Sequence, residues 1–360
     1  MATSPQGFIK PSQQQQSSQP AIAAEILPIE LALQGGGAHG AFTWGVLDRL
    51  LQEPTLRVEG ISGTSAGAMN AAVLASGFAV EGADGAREAL TAFWRRVSDA
   101  ALLSPLKRTP LDILLGRLSP GNSPALRAME WTSRTFSPYE LNPMGWNPLR
   151  PILEDSIDFN RLKSSPVKVF ITATCVNTGQ PRIFHNDEAS ADALLASACL
   201  PQMFQAVEID GKAYWDGGFS GNPTISPLVR ECSANDTILV QINPVKRRRT
   251  PTTASAIASR VNEISFNAPL LKELQMIALL QQVADLGHCE GQLWARMRMH
   301  RIESDYLNEL DYASKMNAEW AALTALRDEG IKAADTFLAE KGHHLGKRAS
   351  LDLSELLEGM

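Results

Sequence analysis

The ten residues Ile61-Ser-Gly-Thr-Ser-Ala-Gly-Ala-Met-Asn70 constrain this chain more than any others. Leu56–Ile61 reads as a short strand, and the small residues from Ala66 to Ser76 read as a helix without proline. Between them lies Gly63-Thr-Ser65-Ala-Gly67, a G-x-S-x-G sequence at a strand-to-helix turn. A serine there sits on a crowded backbone, and glycines two residues to either side remove the side chains that would collide. The helix behind Ser65 turns free N–H groups and a positive dipole end toward charge developing at the hydroxyl. Taken alone, the pentapeptide also fits a tight turn with a capping serine. Ile61 to Val80 carries no charge and is long enough to suggest a membrane span. Gly63, Ser65, Gly67, Asn70 and Gly77 interrupt it, and a buried strand–turn–helix explains it better.

The preceding segment repeats the pattern. Pro28–Gln34 is a strand candidate, Gly35-Gly-Gly-Ala-His-Gly40 follows, and Val46, Leu47, Leu50 and Leu51 recur at helical spacing from Ala41 to Gln52. The resulting β-α-β-α order predicts an α/β fold with a parallel sheet covered on both faces. A chain of 360 residues is long enough for one large domain of this kind with an appendage. Residues 1–27, rich in Gln, Ser and Pro, are expected to be a disordered tail.

Further along, Arg87–Val97 suggests an amphipathic helix, and the proline-rich stretch 98–150 suggests an insertion that caps the sheet or closes over a pocket. Val167–Thr174 and Thr237–Ile242 read as core strands, Ser190–Ala198 as a helix, and Val207–Trp215 as a hairpin turning at Asp210-Gly211. The remainder reads as helix over about 255–298, a short strand Met299–Ile302, and two helices near 314–327 and 330–341. Leu270, Leu274, Ile277, Leu280 and Val283 form one helical face suited to core packing. Lys246-Arg-Arg-Arg249 reads as a solvated run that could also meet lipid head groups.

A net charge of −6 gives no footprint for nucleic acid. Cys175, Cys199, Cys232 and Cys289 have no paired spacing, which points to reduced thiols in the cytoplasm and to no metal site. The N-terminus shows no basic-then-apolar secretory pattern.

Acyl transfer through a serine needs an exposed hydroxyl, a base, and donors for an oxyanion. Ser65 can supply the first and the amides of the glycine loop the third. The spacing Gly35-x-Gly37-x-x-Gly40 also fits a dinucleotide fingerprint, with Glu59 near the offset of the acidic partner. Among six histidines, a hydrolase triad would draw on His288 or His300, placed in a helix and a strand rather than on loops. Asp216 follows a strand, and Gly217 and Gly218 free it to adopt an unusual conformation. It can be a base in direct contact with the serine or a simple turn former. A histidine-dependent esterase and a noncatalytic nucleotide- or lipid-binding protein therefore stay open on these residues.

Together, Gly35–Gly40, Gly63–Gly67, Ala196-Ser-Ala-Cys-Leu-Pro201 with Phe204, and Asp216-Gly-Gly218 resemble the patatin-like phospholipase family over about residues 28–245. The resemblance implies a three-layer α/β/α fold with a mainly parallel sheet and a helical C-terminal extension over 246–360. It implies a Ser65–Asp216 dyad, with Gly35, Gly36, Gly37, Ala38 and Gly40 forming the oxyanion loop. Gly63 and Gly67 would frame the elbow, and Gly217 and Gly218 would complete the aspartate motif. It implies hydrolysis of lipid acyl esters without metal or cofactor, with transient membrane-surface contact and no transmembrane segment. Many members carry arginine where His39 stands, a departure that bears on how the loop meets an anionic substrate.

Overall fold

A computed structural model describes Met1 and residues 26–102, 108–109, 112, 118–119, 123–247, 249–283 and 289–354. The tail reading over residues 2–25 and His288 lie outside the described residues. The strands are β1 (Leu27–Leu33), β2 (Leu56–Thr64), β3 (Lys168–Cys175), β4 (Pro181–Phe184), β5 (Val207–Ile209), β6 (Lys212–Asp216), β7 (Asp236–Val240) and β8 (Arg298–Ile302). The helices that position the site are α1 (Gly40–Leu50), α2 (Ala66–Ala101), α3 (Pro124–Thr135), α4 (Pro138–Leu141), α5 (Ala191–Ser197), α6 (Ala254–Val283) and α7 (Trp320–Lys341).

All strands join one sheet in the order β5-β6-β3-β2-β1-β7-β8, with β4 on the far edge of β3. The pairs β2–β1, β1–β7, β2–β3 and β7–β8 are parallel, while β6 and β4 run antiparallel to β3. Side chains alternate as a strand requires. Ile29, Leu31 and Leu33 of β1 enter the core shared with α1, α2 and α7. Ala32 enters a second core with Leu239, Leu270, Leu274 and Ile277, on the α6 side. Helices therefore cover both faces, and α6 buries the stripe through Ile277 that its sequence shows.

Two helical boundaries differ from the sequence expectation. The helix expected over 87–97 is continuous with the elbow helix, apart from a kink where Glu81 and Gly82 leave helical geometry. The two C-terminal helices are one, α7, and residues 314–316 instead belong to a 3-10 turn, Tyr312–Met316. Residue 330, the expected start of the second helix, is a glycine that lies where α7 crosses α1. A Cβ there would stand 2.0 Å from the Phe42 carbonyl, so the glycine permits the crossing rather than ending the helix. The hairpin reading holds, with left-handed Asp210 and Gly211 (φ 51° and 72°) matching a primed turn.

Candidate active site

The site forms at the carboxyl ends of β1, β2 and β7, where an open parallel sheet leaves strand-to-helix loops free. β2 ends at Thr64 and α2 starts at Ala66, so Ser65 alone turns the chain, with φ 54° and ψ −122°. This left-handed, strained backbone lifts the side chain clear of the sheet. A Cβ on Gly67 would stand 2.3 Å from the Leu33 carbonyl, and one on Gly63 2.6 Å from the Ala68 amide, so neither position admits a side chain. The Ser65 N–H donates to Ser197 Oγ at 2.9 Å, and that hydroxyl donates to the Thr172 carbonyl at 2.6 Å.

Asp216 ends β6 as a buried side chain with 2% exposure. Its amide donates to the Cys199 carbonyl at 2.8 Å, and its carbonyl accepts from Thr174 Oγ1 at 2.8 Å. Oδ1 accepts from the Gly218 N–H at 2.7 Å, and the Ser65 hydroxyl is a second hydrogen-bonding neighbour of the carboxylate. Burial raises the Asp216 pKa from 3.8 to about 7, against the pull of the Gly218 amide, the serine and the Lys315 charge. A Cβ on Gly217 would overlap the Thr172 carbonyl at 2.0 Å, which makes glycine obligatory beside the aspartate.

The glycine loop lies over these two residues. Gly37 has φ 59°, and a 3-10 turn over Gly37–His39 leads into α1. The Gly35 N–H is already bonded to Asn222 Oδ1 at 2.7 Å, and the Gly40 N–H to carbonyls within the turn. Beneath the loop is a network of buried amides. Gln34 Oε1 accepts from the Ile242 and Asn243 amides at 2.9 Å each, and Gln34 Nε2 donates to Asn267 Oδ1 at 3.1 Å. Asn243 Nδ2 donates to the Gly35 carbonyl at 2.7 Å. The C-terminal region closes the other side, where Ser314 Oγ meets His39 Nε2 at 2.8 Å.

That serine donates its only proton to the Asp311 carbonyl at 2.6 Å, so His39 donates to it through Nε2–H. Burial, with Lys315 and Arg247 nearby, lowers the His39 pKa to about 3. His39 is therefore neither a cation nor a base.

Sequence reading did not identify Gln34, Ser197, Asn222, Asn243, Asn267 or Lys315 as part of this site. Ser197 lies in the quoted Ala196–Pro201 segment, but the others show no spacing that could have found them.

The remaining candidates lie elsewhere. His300 is buried in β8, between Asp236 Oδ1 at 2.9 Å and Ser350 Oγ at 2.8 Å. Arg298 Nη2 reaches the same aspartate at 2.5 Å, so this is a buried ion cluster of the sheet edge. Glu59 accepts from the Ser233 and Ala234 amides at 2.8 and 3.0 Å, which commits the acidic residue a dinucleotide reading would need. In the basic run, Arg247 is not solvated as expected but pairs with Glu263 at 2.5 Å. Lys246 and Arg249 are exposed. Among the described residues, no group of His, Cys, Asp or Glu is arranged to hold a metal, and no helix is long and apolar enough to cross a membrane.

A cleft of about 960 Å³ opens beside the site. Met129 of α3, Leu200, Met203, Phe219, Phe266 and Met316 give it apolar walls, and Arg247, Arg260 and Glu263 a charged end. Ser65 and Asp216 do not line it. Its wall adjoins the Asp216-Gly-Gly218 turn through Phe219, next to Gly218, and Phe266, whose ring would stand 2.2 Å from a Cβ on Gly218.

Fold and site together describe a mixed α/β protein with a strained serine turn at the end of a parallel strand. The chain belongs to the patatin-like phospholipase family, whose model matches residues 31–229. No curated protein sequence matches it. Among solved structures it is similar to VipD from Legionella pneumophila, at 15% identity and a TM-score of 0.37, covering 85% of this chain and 66% of that one. It is also similar to the type III effector protein ExoU, at 16% identity and a TM-score of 0.25, covering 93% of this chain and 62% of that one. The chain thus spans a little under two thirds of the length of each.

Proposed function

We propose that the protein hydrolyses acyl esters of lipids through a Ser65–Asp216 dyad. Ser65 attacks the ester carbonyl as its proton passes to Asp216, and the tetrahedral oxyanion is held by the amides of Gly36, Gly37 and Ala38. Collapse expels the alcohol, which takes the proton from Asp216. Water, deprotonated by the same carboxylate, then releases the fatty acid. The observation that carries this reading is the strained Ser65 beside a buried carboxylate with a pKa of about 7, close to what a general base needs. The Gly35 and Gly40 amides are already bonded, so their part is to shape the loop. No step calls on a metal or cofactor.

The apolar cleft supports a lipid substrate, and an exposed wedge beside it supports contact with a lipid surface. Tyr139, Leu141, Met144 and Trp146 are exposed by 57, 51, 92 and 68%, and no charge occurs from Leu141 to Leu149. Asn142 closes this loop on itself, donating to the Trp146 carbonyl at 2.7 Å and accepting its amide at 3.0 Å. Gln205 Nε2 ties the loop to the segment lining the cleft through the Asn142 carbonyl at 2.6 Å. An uncharged loop with satisfied backbone groups can enter the head-group region at little cost. The unpaired thiols Cys175, Cys199 and Cys232 suit a cytoplasmic protein that binds such surfaces peripherally.

A fluorophosphonate probe tests the catalytic reading. Covalent labelling that disappears in Ser65→Ala is expected, and folded wild-type protein that is neither labelled nor active on lipid or short-chain esters would overturn it.

A further inference from the structure

The glycine loop contains no cation, since His39 is neutral, yet a lysine reaches it from outside the family-matched region. The 3-10 turn Tyr312–Met316 between β8 and α7 lies directly against the loop. The Lys315 carbonyl would stand 2.5 Å from a Cβ on Gly37. Lys315 Nζ donates to Asn243 Oδ1 at 2.6 Å. An ammonium can only donate, so this bond fixes the orientation of the Asn243 amide and turns Nδ2 toward Gly35 O. Asn243 is itself buried, at 1% exposure, and nothing competes for that carbonyl from solvent.

We propose that Lys315, acting through Asn243, holds and polarises the Gly35–Gly36 peptide, so that the positive charge serving the oxyanion loop comes from the C-terminal region. This rests on the Ser65–Asp216 reading above. The Gly35 carbonyl and the Gly36 N–H belong to one peptide group. A charge-assisted chain ending on that carbonyl draws electron density from the amide and makes the Gly36 N–H a stronger donor. Such strengthening matters most when the accepted oxygen becomes an anion, so it favours the transition state over bound substrate. Lys315 is a positioning residue here, because it acts through Asn243 and touches no reacting atom.

The groups facing Lys315 set when it carries its charge. Glu263 of α6 and Asp216 at the end of β6 favour the ammonium, while burial and Arg247 oppose it. His39 of the glycine loop is neutral, and the Tyr312 ring lies 5.6 Å from Nζ. Burial is the largest influence and brings the Lys315 pKa from 10.5 down to about 8.

The test uses the full chain and a short-chain p-nitrophenyl ester. Lys315→Met should lower kcat by roughly tenfold to a hundredfold with KM little changed, in line with the loss of one oxyanion contribution. Wild-type kcat should decline as pH rises through about 8, where the ammonium loses its proton. Lys315→Met should lack that alkaline limb, and Lys315→Arg should keep most of the activity and move the limb out of range. A purely structural lysine would shift melting temperature without moving the limb. Wild-type kcat in Lys315→Met overturns the proposal, and so does an unmoved limb in Lys315→Arg, even where the methionine variant does not fold. Both results leave the dyad intact. A wild-type chain with neither ester turnover nor Ser65 labelling removes the dyad and this proposal together.

Discussion

Thr64 and Asp216 occupy successive places on one edge of β3. Thr64 pairs with Thr172 and Asp216 with Ala173, while β4 takes the opposite edge of both. The end of β2 and the end of β6 therefore abut, and the residue after Thr64 is delivered to the aspartate by strand register. Ser65 and Asp216 are far apart in sequence, but the distance between them is set by the backbone ladder rather than by flexible loops.

That register makes the pair a unit, so its members should fail together. Asp216→Asn and Ser65→Ala are each expected to cut kcat by roughly three orders of magnitude or more, with the double variant little worse than either. Steady-state kinetics on a soluble ester, with thermal melts to confirm folding, checks this. Additive losses would show that the two residues act separately. His300→Gln should leave the chemistry in place and lower stability instead, because it breaks the Asp236 cluster.

The raised Asp216 pKa predicts the acidic limb of the rate profile. On the proposed dyad the carboxylate must be ionised to accept the serine proton, so kcat/KM should rise as pH passes through about 7, before the decline that loss of the Lys315 charge brings near 8. The profile of kcat/KM from pH 5 to 8 measures it. A limb completed near pH 4 would mean that burial does not govern this group.

Gly37→Ala tests the loop. The residue has φ 59°, and its Cβ would meet the Lys315 carbonyl at 2.5 Å, so the substitution strains the backbone and pushes the 312–316 turn away. Turnover should fall by roughly tenfold or more while the sheet stays folded. Kinetics and circular dichroism distinguish that result from general unfolding, and wild-type turnover would remove the loop from the mechanism.

A second buried carboxylate predicts how stability depends on pH. Glu30 is 1% exposed in β1, and burial raises its pKa from 4.5 to about 7 despite a 2.7 Å bond from Thr237 Oγ1. The folded state holds this proton more tightly than the unfolded state. Its contribution is therefore full below about pH 4.5 and is lost as pH rises through about 7. Replacing it with glutamine should remove that component, on the order of 2–3 kcal/mol between pH 4 and pH 8. Denaturant titrations of wild type and Glu30→Gln at the two pH values give the difference directly.

The wedge makes a separate prediction. Substituting Met144 and Trp146 by serine should weaken sedimentation with phospholipid vesicles by roughly tenfold or more, since each buried apolar side chain contributes about 1.5–3 kcal/mol. Turnover of a soluble ester should stay unchanged. Equal vesicle binding by the variant would place lipid contact elsewhere.

The parts of the site that sequence made legible are those built within a few residues. The elbow around Ser65, the Asp216-Gly-Gly218 turn and the glycine loop each carry their geometry in local spacing, as do β1 and β2 with their helices. The amide network was illegible for the opposite reason. Gln34, Asn222, Asn243 and Asn267 come from four segments, and only the packed sheet brings them together. Lys315 lies in a short turn with no periodicity. The split expected between residues 327 and 330 is absent because Gly330 admits the crossing of α1, a role that shows only once the neighbour is known. His39 was visible as an unusual loop residue, but its neutrality depends on burial and on Lys315 and Arg247, which come from much later in the chain.

The parallel pairing of β8 with β7 has a practical consequence. A fragment cut near residue 245 would keep every residue matched by the family model, yet it would leave β7 as a bare sheet edge. The strand Asp236–Val240 is buried along its length, so its unpaired amides and carbonyls would offer a template to another copy of the fragment. Such a truncation should be recovered as aggregates.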